Sequence, residues 1–233
     1  MVRKTKINVK GTIIPNDYKN IYDICDVEST CPNDVHTAAE TAKGEKLDVY
    51  INSGGGYIQA GNEIYAALRE YQGQVNIHVV GYACSIASVI ACAGQSDIVP
   101  TGHFMLHNVA AGAQGDFNTM ESTKEVLISA NRAISQAYQL KTGKSEAELL
   151  DMMNHGANNI GTWLTAQEAV DQKFIDKIAE SQNQNVQLTA AFGCEIIPPA
   201  LINEIRKRYK NPQAKKQADF LQAKLNFLKV KVI

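Results

Sequence analysis

The stretch that decides the fold is Val79–His107, which reads VVGYACSIASVIACAGQSDIVPTGHFMLH. The apolar run Val75–Val80 predicts a buried strand, and small residues lead from it to Ser85 at the start of a predicted helix. A serine at a helix start, beside outward-pointing amides, suits a nucleophile next to an oxyanion hole. His107 ends a following predicted strand, where it can supply a base. Serine also caps helices without any catalytic role, so this pair alone leaves both interpretations open.

A glycine-rich segment lies upstream of this pair. It follows the predicted strand Leu47–Ile51, reads NSGGG over residues 52–56, and precedes an amphipathic helix predicted over Tyr57–Tyr71. Glycines at a strand-to-helix junction let backbone amides approach a ligand closely. The spacing fits neither GxGxxG nor GxxxxGK[ST], which argues against a nucleotide-binding loop. A plain tight turn stays open as an alternative.

Four blocks extend these signals along the chain. They are INSGGGYIQAGNEIY (51–65), GYACSIASVIACAG (81–94), FMLHNVAAGAQGD (104–116) and WLTAQEAVDQKFIDKI (163–178). In order and spacing they resemble ClpP, the proteolytic subunit of the Clp protease, and most of all its phage-encoded relatives, the head maturation (prohead) proteases. The resemblance spans roughly Val9–Ile178 and implies an α/β fold, the βαβ spiral related to crotonases. The repeated strand–helix alternation independently favours parallel sheets covered by helices.

The resemblance implies specific roles at this site. Ser85 falls on the nucleophile and His107 on the general base, which takes the serine proton and returns it to the leaving amine. The oxyanion hole falls on the backbone amides of Gly55 and Ile86, and each such donor is typically worth roughly 3 kcal/mol in the transition state. Pairing with an extended substrate as an added strand falls on Gly56, Tyr57 and Ile58.

The chain departs from the family pattern at two tolerable positions. Gly54 stands where the family's SPGG block has proline, which loosens the turn but leaves the amides available. Cys84 precedes Ser85 where a small residue is usual, and simple packing accounts for a buried cysteine.

The third member of the triad is a serious departure. The segment between Met152 and Trp163 contains no Asp or Glu, and the position of the acid falls on Asn159 or Gly161. Asn159 can orient His107 through its side-chain carbonyl, as an asparagine does in Cys-His-Asn proteases, but it brings no charge. The alternatives are therefore a weakened triad, a Ser-His dyad, or a site that borrows another acid such as Asp151.

Two other chemistries receive little support. His103 and His107 are four residues apart, but they flank a predicted strand and no carboxylate cluster follows, so a metal site is not expected. The resemblance to serine proteases implies no organic cofactor either. The remaining histidines, His36, His78 and His155, are interpreted as ordinary surface or loop residues. Lys124 is a conceivable partner for a Ser-Lys dyad, but His107 fits its block better.

Composition indicates one compact domain with an appendage. The 233 residues are 45% hydrophobic, with no charged-then-apolar leader and no unbroken apolar run of membrane length. We therefore expect a cytoplasmic protein, in the bacterial host cytoplasm or within phage proheads, without a membrane partner.

The five cysteines form no zinc pattern, which fits reduced thiols. Residues 201–233 carry nine basic and two acidic side chains, a net charge of +7 that leaves −8 for residues 1–200.

These signals predict a protease domain at 1–180, a polar linker at 181–200 and a basic helical tail at 201–233. Within the domain, Ile7–Ile14 is predicted as a strand, and Pro15–Pro32 as a loop with one short strand. Three interpretations of the tail compete: packing against its own ring, binding an acidic scaffold or capsid partner, and, least favoured, contacting nucleic acid.

A long helix is predicted over Asn118–Lys141. Its apolar positions recur at helical spacing: Met120, Thr123, Leu127, Ala130, Ile134 and Ala137. In ClpP-like proteins the corresponding helix is the handle by which two rings stack, and this role is favoured over packing on its own domain. The resemblance thus implies a homo-oligomeric ring that acts on protein or peptide substrates.

The leading hypothesis is a ClpP-like serine endopeptidase that processes phage head proteins through an acyl-enzyme on Ser85. One alternative is a Clp-system peptidase subunit fed by an ATP-driven unfoldase. Another is a ring protein that has kept the assembly but weakened or lost its activity.

Overall fold

The computed structural model describes residues 5–156 and 160–180. These residues lie in the first of two units into which the chain divides, Met1–Glu180. The predicted linker and basic tail, and Asn159, lie outside the described residues. No helix among the described residues has the length and apolar character needed to cross a membrane.

A mostly parallel sheet forms the centre of the described domain. Its eight strands within these residues are β1 (Thr5–Ile13), β2 (Ser29–Thr30), β3 (Leu47–Gly56), β4 (Val75–Cys84), β5 (Gln95–Ile98), β6 (His103–Leu106), β7 (Thr162–Thr165) and β8 (Lys177–Ile178). The order is β2-β1-β3-β4-β5-β8, while β6 pairs with β4 and β7. Every pairing is parallel except β6 with β7. The α/β class predicted from strand–helix alternation is confirmed.

Strand β4 connects the two parts of the sheet. Its first half pairs with β5, and its second half, Tyr82–Cys84, pairs in parallel with His103–Met105 of β6. Cys84 is therefore level with Met105 at the carboxyl ends of two adjacent strands. Because the residues that follow parallel strands meet at one edge of the sheet, this register brings Ser85 and His107 together.

The described residues form seven α-helices. They are α1 (Lys19–Ile24), α2 (Pro32–Ala42), α3 (Ile58–Glu70), α4 (Ile86–Ala91), α5 (Phe117–Thr142), α6 (Glu146–Met153) and α7 (Ala166–Asp171). Their ends follow local sequence signals. Pro32 occupies the first turn of α2. Ser145 and Thr165 each form a capping box with a glutamate three residues later, at the starts of α6 and α7.

One part of the hydrophobic core lies between the sheet and helices α3 and α4. Strands β3 and β4 contribute Val49, Ile51, Ile77 and Val79, all fully buried. Such β-branched residues suit pleated strands, and each contributes roughly 1.5–3 kcal/mol on burial. Helix α4 is buried along its whole length. It packs so closely on α3 that a Cβ at Gly61 would lie 2.1 Å from Cγ1 of Ile86.

One helix and two strand ends were predicted wrongly from the sequence. The segment Pro15–Pro32 contains helix α1, which the pattern missed because none of its residues is buried and Ile21 and Ile24 face solvent. Strand β3 does not end at Ile51 but continues to Gly56, and Gly55 and Gly56 pair with β1. Strand β4 likewise continues to Cys84, so Ser85 directly follows the strand.

Helix α5 agrees with the prediction in its bounds but packs along only part of its length. Its buried residues all lie in the second half: Ile134, Ser135, Ala137, Tyr138 and Thr142. The first half exposes Phe117, Met120, Val126 and Ile128. Packing on its own domain therefore accounts for the C-terminal half of α5 and not for the N-terminal half.

Candidate active site

Ser85 occupies a tight connection between β4 and α4. Its backbone has φ 55° and ψ −132°, a left-handed conformation that costs a non-glycine residue of order 1–3 kcal/mol. Hydrogen bonds hold both sides of the residue. The Ser85 amide donates to the carbonyl of Met105 at 2.9 Å, and the Ser85 carbonyl accepts from the Ser88 amide at 2.9 Å. The nucleophile predicted from the sequence thus stands in a backbone conformation that its surroundings enforce.

His107 reaches Ser85 from the end of β6. Its Nε2 lies 2.9 Å from Oγ of Ser85, within hydrogen-bonding distance. Burial lowers the pKa of His107 below its ordinary value of 6.5, because charging a desolvated imidazole is unfavourable. The imidazole is therefore neutral at neutral pH, which is the state a general base needs.

The glycine segment lies directly against Ser85. Gly55 has φ +97°, and a Cβ built on it would lie 2.6 Å from Cβ of Ser85 and 2.9 Å from the Cys84 carbonyl oxygen. Only a residue without a side chain fits this approach. The resemblance implies an oxyanion donor at Gly55, and the structure places the Gly55 backbone directly against Ser85.

The two predicted oxyanion amides differ in their present partners. The Gly55 amide donates to Oγ of Ser53 at 3.1 Å, and that hydroxyl in turn donates to the Gly11 carbonyl at 2.6 Å. The Ile86 amide is in the first turn of α4, where amides have no acceptor within the helix. The Ile86 amide is therefore placed to donate to a ligand, whereas the Gly55 amide already donates to Ser53.

The predicted substrate segment is extended over part of its length. Gly56 ends β3, and its β1 side is already occupied by Ile13, whose carbonyl accepts from the Tyr57 amide at 2.9 Å. Tyr57 is extended and exposed. Ile58 is the first residue of α3, so the expectation that Ile58 adds extended backbone for strand pairing is wrong.

The described residues supply no acid for His107. Gly161 lies against it, and a Cβ there would come 2.2 Å from the Leu106 carbonyl oxygen and 2.4 Å from Cβ of His107. His107 and Leu106 therefore occupy the space that a side chain at position 161 would need, and this position cannot hold a carboxylate. Asp151 is exposed on α6 and has no hydrogen bond or ion pair with His107. Asn159 lies outside the described residues.

The other candidates are accounted for by their surroundings. Lys124 is exposed on α5 and pairs with Glu121 at 3.0 Å, which raises its pKa and makes it a poor base. Among residues 5–156 and 160–180, no cluster of three or more His, Cys, Asp or Glu side chains could hold a metal ion. His103 begins β6 and packs edge-on to Trp163.

The structure corrects the interpretation of His78 and agrees with that of Cys84. His78 was interpreted as an ordinary surface residue, but it is half-buried in β4, with Nδ1 2.9 Å from a carboxylate oxygen of Asp97. Cys84 is buried as expected from packing, and burial raises the pKa of its thiol to about 11.

Sequence reasoning missed two buried residues behind Ser85. Oγ of Ser88 lies 2.6 Å from the Ser85 carbonyl oxygen and 2.7 Å from the Tyr138 hydroxyl. The signal for Ser88 was present, since it is the one hydroxyl inside the apolar run Ile86–Ala91. No comparable signal marks Tyr138, which lies far along the chain on α5.

The comparisons with known proteins agree with this geometry. The sequence model of the family described as Clp protease matches residues 26–182. The chain belongs to the Clp protease family. It is 30% identical over 139 residues to the "ATP-dependent Clp protease proteolytic subunit" of Ligilactobacillus salivarius (strain UCC118), covering 58% of this chain and 68% of that protein. Membership in the Clp protease family implies a peptidase.

A solved structure supports the fold of this family member. The structure of a ClpP1 point mutant from Listeria monocytogenes superposes with a TM-score of 0.62, covering 76% of this chain and 92% of that chain at 18% identity. At this identity the match establishes the ClpP-like fold alone.

Proposed function

We propose that this Clp protease family member is a serine endopeptidase in which Ser85 attacks the peptide carbonyl and His107 transfers the proton. The observation that carries the proposal is the 2.9 Å contact between Nε2 of a neutral His107 and Oγ of Ser85. Nε2 takes the hydroxyl proton as Oγ bonds to the carbonyl carbon, and then gives that proton to the leaving amine. The acyl-enzyme on Ser85 is released by a water that His107 deprotonates in the same way.

The developing oxyanion is stabilised by backbone amides. The Ile86 amide is available for this role, and the Gly55 amide joins it by leaving Oγ of Ser53. A charged oxyanion is a stronger acceptor than a hydroxyl, which favours this exchange as the tetrahedral intermediate forms. Gly56 and Tyr57 supply the extended backbone beside the substrate.

Asn159 is proposed as the third member of the triad. For Nε2 to accept the serine proton, the imidazole proton has to sit on Nδ1, and an amide oxygen can hold it there. Because an amide brings no negative charge, the imidazolium formed during attack is less stabilised than in an acid-containing triad. Asn159→Asp is expected to raise kcat at least tenfold, while a dyad without a role for Asn159 predicts no change.

The substrates are proposed to be the head proteins of a phage, processed in the bacterial host cytoplasm or within proheads by a homo-oligomeric ring. The support is the resemblance of the four sequence blocks to phage-encoded prohead proteases. The exposed apolar side chains on the first half of α5 fit a handle that becomes covered on ring stacking. The basic tail suits an acidic scaffold or capsid surface.

A second candidate is a peptidase subunit that works with an ATP-driven unfoldase. The observation in its favour is the relative from Ligilactobacillus salivarius, whose name is that of an ATP-dependent Clp protease proteolytic subunit. The absence of a carboxylate next to His107 in the described part of the chain similarly favours a weakened ring protein as a third candidate.

Hydrolysis of labelled casein, an unfolded protein, tests the enzyme proposal. The wild type is expected to cleave casein and Ser85→Ala to be inactive at equal concentration and oligomeric state. Equal cleavage by both proteins would reject Ser85 as the nucleophile. Cleavage of capsid precursor without an unfoldase supports head processing, and cleavage that requires an added unfoldase and ATP supports the second candidate.

A further inference from the structure

A buried hydrogen-bond chain connects helix α5 to the nucleophile. It runs from the hydroxyl of Tyr138 to Oγ of Ser88 at 2.7 Å, and from Oγ of Ser88 to the carbonyl oxygen of Ser85 at 2.6 Å. Ser88 is fully buried and Tyr138 is 1% exposed. Water therefore cannot replace either hydroxyl without rearrangement, and Ser88 is the partner that satisfies the buried Tyr138 hydroxyl.

The direction of the protons in this chain follows from chemistry. A carbonyl oxygen only accepts, so Ser88 must donate its single hydroxyl proton to Ser85. Ser88 can then only accept from the phenol, and Tyr138 is the donor. Burial strongly raises the pKa of Tyr138, which keeps its donor proton in place at all working pH values. The chain has one consistent polarity, from Tyr138 through Ser88 to Ser85.

The hydrogen-bond chain ends at the Ser85 carbonyl, which shares a peptide group with the proposed oxyanion donor, the Ile86 amide. The carbonyl of Ser85 and the amide of Ile86 are the two ends of the same planar trans peptide, and they point in opposite directions. Any group that fixes the carbonyl therefore fixes the direction of the amide. Ser88 holds this carbonyl twice, with its hydroxyl at 2.6 Å and its backbone amide at 2.9 Å.

The backbone of Ser85 needs such a restraint. Its left-handed conformation, φ 55° and ψ −132°, is disfavoured for a serine and would relax if the neighbouring peptide groups were free. On the amino side the Met105 carbonyl accepts from the Ser85 amide. On the carboxyl side the Ser85 carbonyl accepts from both the amide and the hydroxyl of Ser88 at the start of α4, and Tyr138 lies behind that hydroxyl.

We propose that Ser88 and Tyr138 are positioning residues that aim the Ile86 amide at the oxyanion by holding the Ser85 carbonyl. This inference rests on the proposed serine endopeptidase function. Both side chains are buried, and their hydrogen bonds reach the Ser85 carbonyl oxygen rather than its Oγ. Removing an oxyanion donor outright typically costs about 10²–10³ in kcat, and a donor that is present but misdirected is expected to cost about tenfold.

Kinetics of three variants on labelled casein test the proposal. Ser88→Ala is expected to lower kcat about tenfold and Tyr138→Phe about threefold. KM and the pH midpoint of kcat/KM should stay unchanged, because substrate binding and His107 are untouched. Because Tyr138 acts through Ser88, adding Tyr138→Phe to Ser88→Ala should lower kcat by less than a further twofold. Two independent, multiplying losses would overturn the proposal.

Two control variants separate positioning from a general loss of packing. Ser135→Ala removes another fully buried hydroxyl, one that donates to the Arg132 carbonyl within α5. Tyr65→Phe removes a phenol from the half-buried face of α3. Both controls are expected to keep wild-type kcat, even if the melting temperature falls. If either control lowers kcat as much as its counterpart at Ser88 or Tyr138, the effect is structural and the proposal fails.

A crystal structure of Ser88→Ala decides the claim without relying on activity. The expected result is a rotated Ser85–Ile86 peptide, with ψ of Ser85 moved away from −132°. An unchanged peptide would overturn the proposal. If the wild type proves inactive on casein, the proposed function fails, yet the rotated or unchanged peptide still answers the positioning question.

Discussion

Replacing Gly55 with alanine is expected to disable the active site while leaving the fold in place. The added Cβ would lie 2.6 Å from Cβ of Ser85, whereas ordinary contacts begin at 3.4 Å. The two segments must therefore separate by about 0.8 Å, the difference between these distances. A misplacement of about 1 Å at catalytic groups typically costs about 10²-fold in rate. Alanine at φ +97° adds a backbone cost of about 1–2 kcal/mol.

The matched control is the adjacent glycine. A Cβ at Gly54 meets only Cε2 of Tyr82, at an ordinary 3.8 Å, and Gly54 is not among the positive-φ residues. The assay is the second-order rate of fluorophosphonate labelling together with the thermal unfolding midpoint. We expect labelling of Gly55→Ala to fall about 10²-fold with a midpoint lowered by several degrees, and labelling of Gly54→Ala to match the wild type. Wild-type labelling of Gly55→Ala, or an equal loss in Gly54→Ala, would refute the proposed contact between the glycine segment and the nucleophile.

The same site supports three further predictions. Because burial lowers the pKa of His107 below 6.5 and the base must be unprotonated, kcat/KM should rise with pH through a midpoint below 6.5 and stay level above it; a midpoint at or above 6.5 would contradict this. Gly161→Asp should lower casein hydrolysis about 10²-fold, although it adds a carboxylate, because its Cβ would displace His107; increased hydrolysis would show that the position tolerates an acid. Burial raises the pKa of the Cys84 thiol to about 11 and that of Cys92 to about 12, so iodoacetamide at about pH 8 should leave both unmodified in the native protein; alkylation of either cysteine, seen by peptide mapping, would argue against the packing described.

The pairing of Ser85 with His107 could be predicted from the sequence because both residues follow apolar strands. Parallel neighbours end at the same edge of a sheet, so two polar residues at strand ends are brought together by the fold itself. In the structure, Cys84 of β4 pairs in register with Met105 of β6, so the residues that follow these two strands lie side by side. The α/β class was accessible for the same reason, since alternation of strand and helix patterns is a local property that survives in the fold.

Other features depend on tertiary contacts that leave no local trace. The glycines 54–56 suggest a turn, yet they belong to strand β3, in which Gly55 and Gly56 pair with β1. Helix α1 was missed because its apolar residues are exposed and give no buried face. The sequence alone allowed the acid position to fall on Gly161, because the close contact of Gly161 with His107 leaves no mark in the sequence. The link from Ser88 to Tyr138 joins residues 50 positions apart, a distance at which no periodicity operates.

Site-mapped fluorophosphonate labelling tests the central claim most directly. Wild-type protein, Ser85→Ala and His107→Ala would be labelled in parallel and the modified peptide identified by mass spectrometry, with circular dichroism confirming that each is folded. The account predicts one adduct on Ser85 in the wild type, none in Ser85→Ala, and a strongly reduced rate in His107→Ala. A folded wild type that forms no adduct, or an adduct on another residue, would contradict it.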